Sequence, residues 1–122
     1  MERPYKGKSG VQRIWNAFHY SLDGLCAAFR HEDAFRQELL LAAVLLPLGL
    51  WLGVGGLEKA MLTAPVLLVL VVELLNSAVE ATVDRISLDD HLLAKRAKDI
   101  GSAAVLLSFV MLAAVWLHVL FV

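Results

Sequence analysis

Glu73, Glu80 and Asp84 fall on one side of a helix whose other sides are aliphatic. They belong to the stretch Glu73-Leu-Leu-Asn-Ser-Ala-Val-Glu-Ala-Thr-Val-Asp84, which follows thirteen uncharged residues from Ala60 to Val72. At about 100° per residue, with Glu73 at zero, Asn76 falls near ~300°, Ser77 near ~40°, Glu80 near ~340° and Asp84 near ~20°. The five polar groups therefore occupy one stripe about 100° wide. A charged side chain inside a bilayer costs roughly 2.5 kcal/mol or more, so ionisable groups in such a segment mark a functional site.

The chemistry open to the chain is narrow. It contains no G-x-x-x-x-G-K-[ST] loop, no kinase Gly-rich loop with H-R-D and D-F-G, and no serine hydrolase elbow. No Cys/His set has zinc spacing. Carboxylates, an amide and nearby cations remain, an inventory that suits magnesium bound through carboxylates and substrate phosphates. Phosphoryl transfer asks for little more: metal against the phosphates, cations along them and a base beside the attacking hydroxyl. Glu80, about one turn from the membrane boundary, is placed to hold metal with Glu32. Glu73 lies seven residues further in, roughly 10 Å deeper by helix rise, where it can take a proton from a lipid hydroxyl. Lys98, Asp99 and Ser102 add a cation, a carboxylate and a hydroxyl at the mouth of a later apolar run, beside the Glu80–Asp84 end of the stripe.

Two other classes stay open on the residues alone. A proton- or ion-conducting protein also carries intramembrane carboxylates, but has no need of the Lys98-Asp99 cluster or of a surface helix bearing Arg13 and Glu32. A polar stripe serving only as helix–helix glue favours Ser, Thr and Asn over two glutamates.

The elements that must position these groups follow from composition. The chain has 122 residues, is 59% hydrophobic and 19% charged, and has a mean hydropathy of +0.68. That is too apolar for an ordinary soluble domain of this length. Residues 39–57 and 100–122 carry no Asp, Glu, Lys or Arg, and 60–83 is broken only by Glu73 and Glu80. Each run is about long enough to cross a hydrocarbon core of roughly 30 Å. The expected fold is an all-α membrane protein forming a single domain over 1–122. It has an amphipathic surface helix at 11–36 and transmembrane helices at 38–57, 60–84 and 99–122. In the first segment Ile14, Trp15, Phe18, Leu22, Leu25, Cys26 and Phe29 recur at spacings of three and four, flanked by basic residues, the pattern of a helix lying in the headgroup plane.

Six Lys/Arg (Arg3, Lys6, Lys8, Arg13, Arg30 and Arg36) precede the first span, and Arg85, Lys95, Arg96 and Lys98 lie between the second and third. Only Lys59 falls in the turn after the first span, so the N-terminus and the 84–99 loop are expected in the cytoplasm. Glu32 and Arg36 are spaced to pair, Gly53–Gly56 reads as a turn, and Trp15, Trp51 and Trp116 suit interfacial anchoring. The single cysteine, Cys26, excludes an intrachain disulfide and reads as a small packing residue. No cleavable signal peptide and no nucleic-acid partner are expected.

The stretch Glu73-Leu-Leu-Asn76-Ser77-Ala78-Val79-Glu80-Ala-Thr-Val83-Asp84 resembles the E-x-[aliphatic]-N-[ST]-[AS]-[aliphatic]-E-x-x-V-D signature of the prokaryotic diacylglycerol kinases. The similarity extends to Tyr20-Ser21, Ala34-Phe-Arg-Gln-Glu38 and Arg96-Ala-Lys-Asp-Ile-Gly-Ser-Ala-Ala-Val-Leu106, nearly the whole chain. The resemblance implies a homotrimer in the bacterial inner membrane whose active sites are shared between subunits. It also implies Mg²⁺- and ATP-dependent phosphorylation of diacylglycerol to phosphatidic acid. By motif position Glu73 is the expected base, supported by Asn76, and Glu32 and Glu80 are the expected metal ligands. Those two glutamates, with Arg13, Tyr20, Asp89, Asp90, His91, Lys98 and Asp99, are expected around the nucleotide. Arg13, Ser21, Ala34, Phe35, Arg36, Gln37, Glu38, Glu73 and Ser102 are expected around the lipid, with Trp51, Leu52 and Val54 along its acyl chains.

Some positions depart from the family's pattern. Leu22, Asp23 and Cys26 stand where a Trp, a Lys and an Arg are usual, so the surface helix lacks two cations. Asp90 stands where a Glu is usual before His91, a shorter reach toward nucleotide. Within the resemblance the rival is an undecaprenol kinase on the same scaffold. The Phe-Arg-Gln-Glu and Ile-Gly-Ser segments look more like the diacylglycerol branch.

Overall fold

The computed structural model describes residues 9–86 and 91–122, and every regular element among them is an α-helix. The chain divides into two compact units, Met1–Glu32 and Asp33–Val122. Asp89 and Asp90 lie outside the described residues, as do Arg3, Lys6 and Lys8.

The first unit is one helix, α1 (Gly10–His31). Its apolar side chains line one face and stay exposed, Ile14 at 71%, Trp15 at 57% and Phe29 at 53%. Cys26 is exposed too, so it fills no core position. Trp15 and His19 meet edge to face at 4.7 Å. The sequence pattern ran this helix to residue 36, but the break comes at Glu32, whose backbone is extended (φ −120°, ψ 107°). Charge placement explains the position. Arg30 and His31 sit in the last turn of α1, where cations suit the negative end of a helix. Asp33 opens the next helix, where an anion suits the positive end, and Arg36 pairs with it.

The second unit holds α2 (Asp33–Leu52), α3 (Gly55–Ile86) and α4 (Leu92–Phe121). All three are long and apolar enough to span a membrane, and α3 packs against both α2 and α4. The α2–α3 turn is shorter than the Gly53–Gly56 turn read from sequence, since α2 ends at Leu52 and α3 begins at Gly55. Lys59 reaches back to donate to Leu50 O at 2.6 Å and Gly53 O at 2.9 Å, satisfying carbonyls that the end of α2 leaves open. Gly53 permits the approach, since a Cβ there would lie 2.8 Å from Lys59 N. Gly55 starts α3 with φ +77°, a value that glycine adopts freely.

At the other end α4 begins at Leu92, so part of the expected 84–99 loop is helical. His91 caps it, its Nδ1 accepting the Leu93 N–H at 3.1 Å, and Lys95 pairs with Asp99 one turn on.

The core consists of Ala42, Val66, Val69 and Leu112, with Leu45, Leu46, Leu70, Phe109 and Trp116 packed around it. Gly49 lets α2 approach α3, where an added Cβ would meet Leu62 Cβ at 3.1 Å. Trp116, expected as an interfacial anchor, is half-buried and its indole N–H donates to Leu62 O at 2.9 Å, tying α4 to α3. Large apolar side chains such as Leu40, Leu75, Leu106 and Leu107 face outward. On a soluble protein such a surface is a liability; on membrane-length helices it is the surface lipid solvates. The chain is a membrane protein.

Candidate active site

The buried part of the polar stripe lies inside this bundle. Glu73 is 4% exposed, and Asn76 and Ser77 are each 8% exposed. The Ser77 hydroxyl, one turn on, donates to Glu73 Oε2 at 3.3 Å. From α2 comes Glu38, also 8% exposed, whose carboxyl group meets that of Glu73. Glu38 Oε1 and Asn76 Oδ1 are buried with no hydrogen-bond partner among the described residues. Buried acceptors of this kind are normally satisfied, and leaving one open costs about 1–3 kcal/mol. A cluster of acceptors in an apolar bundle is completed by a donor such as an alcohol O–H.

Gly101 of α4 closes the other side, because a Cβ at that position would lie 2.0 Å from Asn76 Oδ1. Neither Gly101 nor the Glu38–Glu73 contact was singled out from sequence. A glycine within an apolar run carries no periodic signal, and a pairing between two helices depends on their register. The one available sign was Glu38 itself, a carboxylate at the start of an uncharged run.

The rest of the stripe becomes more exposed along α3. Glu80 is half-buried and Asp84 is exposed. Asp84 forms an ion pair of 2.5 Å with Lys98 of α4. Lys95 and Asp99 form a second pair of 2.7 Å, beside a groove of about 350 Å³ lined by Leu92, Lys95, Arg96, Asp99, Ile100 and Ala103. Carboxylates and cations thus alternate where α3 ends and α4 begins, and Ser102 is exposed a turn beyond Lys98.

Other expected site residues take varied places. Phe35 is 2% exposed and fills the bundle interior, whereas Ala34 and Gln37 are exposed and Arg36 is bound to Asp33. Trp51 and Val54 are exposed and Leu52 is half-buried, all at the opposite end of α2 from Glu38. Arg13, Tyr20, Ser21 and Glu32 belong to the α1 unit, where Ser21 Oγ donates to Ala17 O at 3.0 Å. Among the described residues no three His, Cys, Asp or Glu side chains gather as a metal group.

Comparison with known proteins identifies the family. The sequence profile of the prokaryotic diacylglycerol kinases matches residues 19–120. A diacylglycerol kinase of Pseudomonas aeruginosa is 52% identical over 117 residues, 96% of this chain and 95% of that protein. One of Haemophilus influenzae is 46% identical over 113 residues, covering 93% and 96% of the two chains. One of Escherichia coli K12 is 44% identical over 108 residues, 88% of each. With a buried Glu38/Glu73/Asn76 cluster set in three membrane-length helices, and likeness along almost its full length, this chain belongs to the prokaryotic diacylglycerol kinase family.

Proposed function

We propose that this enzyme transfers the γ-phosphoryl group of ATP to the free hydroxyl of diacylglycerol, giving phosphatidic acid at the cytoplasmic face of the bacterial inner membrane. The observation that carries the reading is Glu73: a carboxylate 4% exposed in an apolar bundle, oriented by Ser77 and flanked by open acceptors on Glu38 and Asn76. Such a site suits a neutral lipid alcohol, whose single O–H points to Glu73, the group that takes its proton. Asn76 steadies the alcohol beside the base, and Ser77 fixes the carboxylate. The alcohol oxygen then attacks the γ-phosphorus and ADP departs.

The nucleotide belongs where the bundle meets water. Lys98 and Asp99, with Arg13, Tyr20, Asp89, Asp90 and His91, surround it in this reading. Magnesium fits the donors present, since a hard cation needs only one or two carboxylates when phosphates supply the remaining oxygens. Glu80, half-buried on the face of α3 that carries Glu73, offers one carboxylate and Glu32 the other. When bound, the ion offsets charge on the β- and γ-phosphates. Ser21, Ala34, Phe35, Arg36, Gln37 and Ser102 border the lipid near its hydroxyl, and Trp51, Leu52 and Val54 border its chains. The chain acts as one kinase domain, N-terminus in the cytoplasm, with α1 on the membrane surface and three subunits forming a ring.

The test is direct. Purified protein in mixed micelles with magnesium and ATP is offered diacylglycerol and undecaprenol, and phosphate on diacylglycerol is the expected product. Phosphate on undecaprenol alone would replace the lipid assignment. Proton flux through vesicles without ATP, with no lipid phosphorylated, would overturn the kinase reading.

A further inference from the structure

The reaction just proposed leaves a proton on a buried carboxylate. Glu73 must lose that proton to water before it can act again, and at 4% exposure it has little direct access. The packing of α2 on α3 supplies a neighbour. Gly49 lies against Leu62, and Ala42 shares the core cluster with Val66 and Val69. Seven residues back along α2 from Gly49 is Ala42, and seven forward along α3 from Leu62 is Val69. Four further steps in the same directions give Glu38 and Glu73. The antiparallel register alone therefore brings the two carboxyl groups to one level, and they meet there.

Glu38 is also the member of the pair that lies close to the end of its helix. It stands five residues from the start of α2 at Asp33, roughly 7 Å by helix rise. One turn toward that end is Ala34, small and exposed, while buried Phe35 closes the adjoining side. Ser77 donates to Glu73 Oε2, whereas Glu38 Oε1 is buried with no hydrogen-bond partner among the described residues. Gly101 and Asn76, packed across from the pair, carry no ionisable group.

We propose that Glu38 is the proton exit of the active site, receiving from Glu73 the proton taken from the lipid alcohol and passing it to water at the start of α2. The inference rests on the kinase reading. In each turnover the alcohol oxygen forms a bond to the γ-phosphorus as its proton moves to Glu73. The bond from that phosphorus to the β–γ bridging oxygen breaks, and its electron pair leaves with ADP. Glu38, hydrogen-bonded to Glu73, then gives up a proton to water and takes the one on Glu73, restoring the Glu73 carboxylate. One proton is released per lipid phosphorylated, and no further reactant is needed.

Rapid-quench kinetics in mixed micelles tests this with Glu38→Gln, whose amide can still bond Glu73 but cannot carry the proton away. The expected result is a first turnover per site at close to the wild-type rate, followed by steady-state turnover slowed by about tenfold or more. Equal slowing of both phases would reduce Glu38 to a positioning role, and unchanged steady-state turnover would remove it altogether. If Glu38→Gln fails to fold, Glu38→Asp keeps the acid on a shorter arm. Its steady state should then show a larger solvent deuterium effect than wild type, with the first turnover unaffected. Equal effects in both phases would overturn the proposal. Wild-type enzyme run alongside separates the two readings, because failure of the kinase assignment leaves it with no lipid product at all.

Discussion

Glu73 and Glu80 are two turns apart on one helix, yet their surroundings differ in a way that suits the separate roles proposed for them. Glu73 is buried and held by the Ser77 hydroxyl; Glu80 is half-buried, closer to the ion pairs at the end of α3. Burial suits a base that meets an alcohol, and partial exposure suits a ligand that must meet a solvated cation. Glu73→Gln should lower kcat by about a hundredfold or more, the range for losing a general base, with unfolding temperature in detergent unchanged. Near wild-type turnover in that variant would remove Glu73 from the proton-transfer role. For Glu80→Gln the expected change is in the magnesium titration, with half-saturation raised about tenfold and diacylglycerol KM unmoved. A superimposable magnesium curve would count against ligation there.

At the scale of elements, α4 positions α3 through two contacts at different depths. The Trp116 indole holds Leu62 O near one end, and Gly101 admits Asn76 nearer the other. The Lys98–Asp84 pair adds little energy, since both side chains are substantially exposed at 41% and 59%, and exposed pairs are worth about 0–1 kcal/mol. Its effect is to fix where Lys98 rests. Gly101→Ala is the sharper probe, because its Cβ would fall 2.0 Å from Asn76 Oδ1 and the amide must move. Overpacking of this kind destabilises by about 1–3 kcal/mol, so both unfolding temperature and kcat should fall. An unchanged kcat would show that Asn76 can leave its place without consequence for the reaction. Much of α3 was legible beforehand: helical period places Glu73, Asn76, Ser77 and Glu80 together, and the structure puts the first three in the interior. The Glu38–Glu73 and Gly101–Asn76 contacts were not, because they arise from register between helices that no single segment encodes. Helix ends moved for a similar reason. Capping by His91 and the reach of Lys59 turned expected loop into helix, and charge alternation around Glu32 ended α1 early.

Viewed whole, one chain holds only a modest core, with Ala42, Leu62, Val66, Val69 and Leu112 buried while long rows of Leu and Val face outward. Lipid can solvate those rows, but it cannot supply the second carboxylate proposed for magnesium. Glu32 belongs to the α1 unit and Glu73 to the helical bundle. In the proposed ring, sites shared between neighbours let each unit complete a site on the next subunit. A heterologous contact that closes into a ring gives every subunit the same two partners. Mixing two inactive proteins tests this without any new structure. Glu32→Gln subunits lack the proposed ligand and Glu73→Gln subunits lack the base, so neither alone should phosphorylate lipid. When the two are unfolded, mixed in equal amounts and reconstituted together, a site joining Glu73 of one subunit to Glu32 of its neighbour is intact in about one case in four. Turnover should therefore recover to about a quarter of wild type, because random assembly of a closed ring sets that fraction. Recovery no greater than the sum of the separate variants would place both glutamates of each site in a single chain, and sharing between subunits would have to be abandoned.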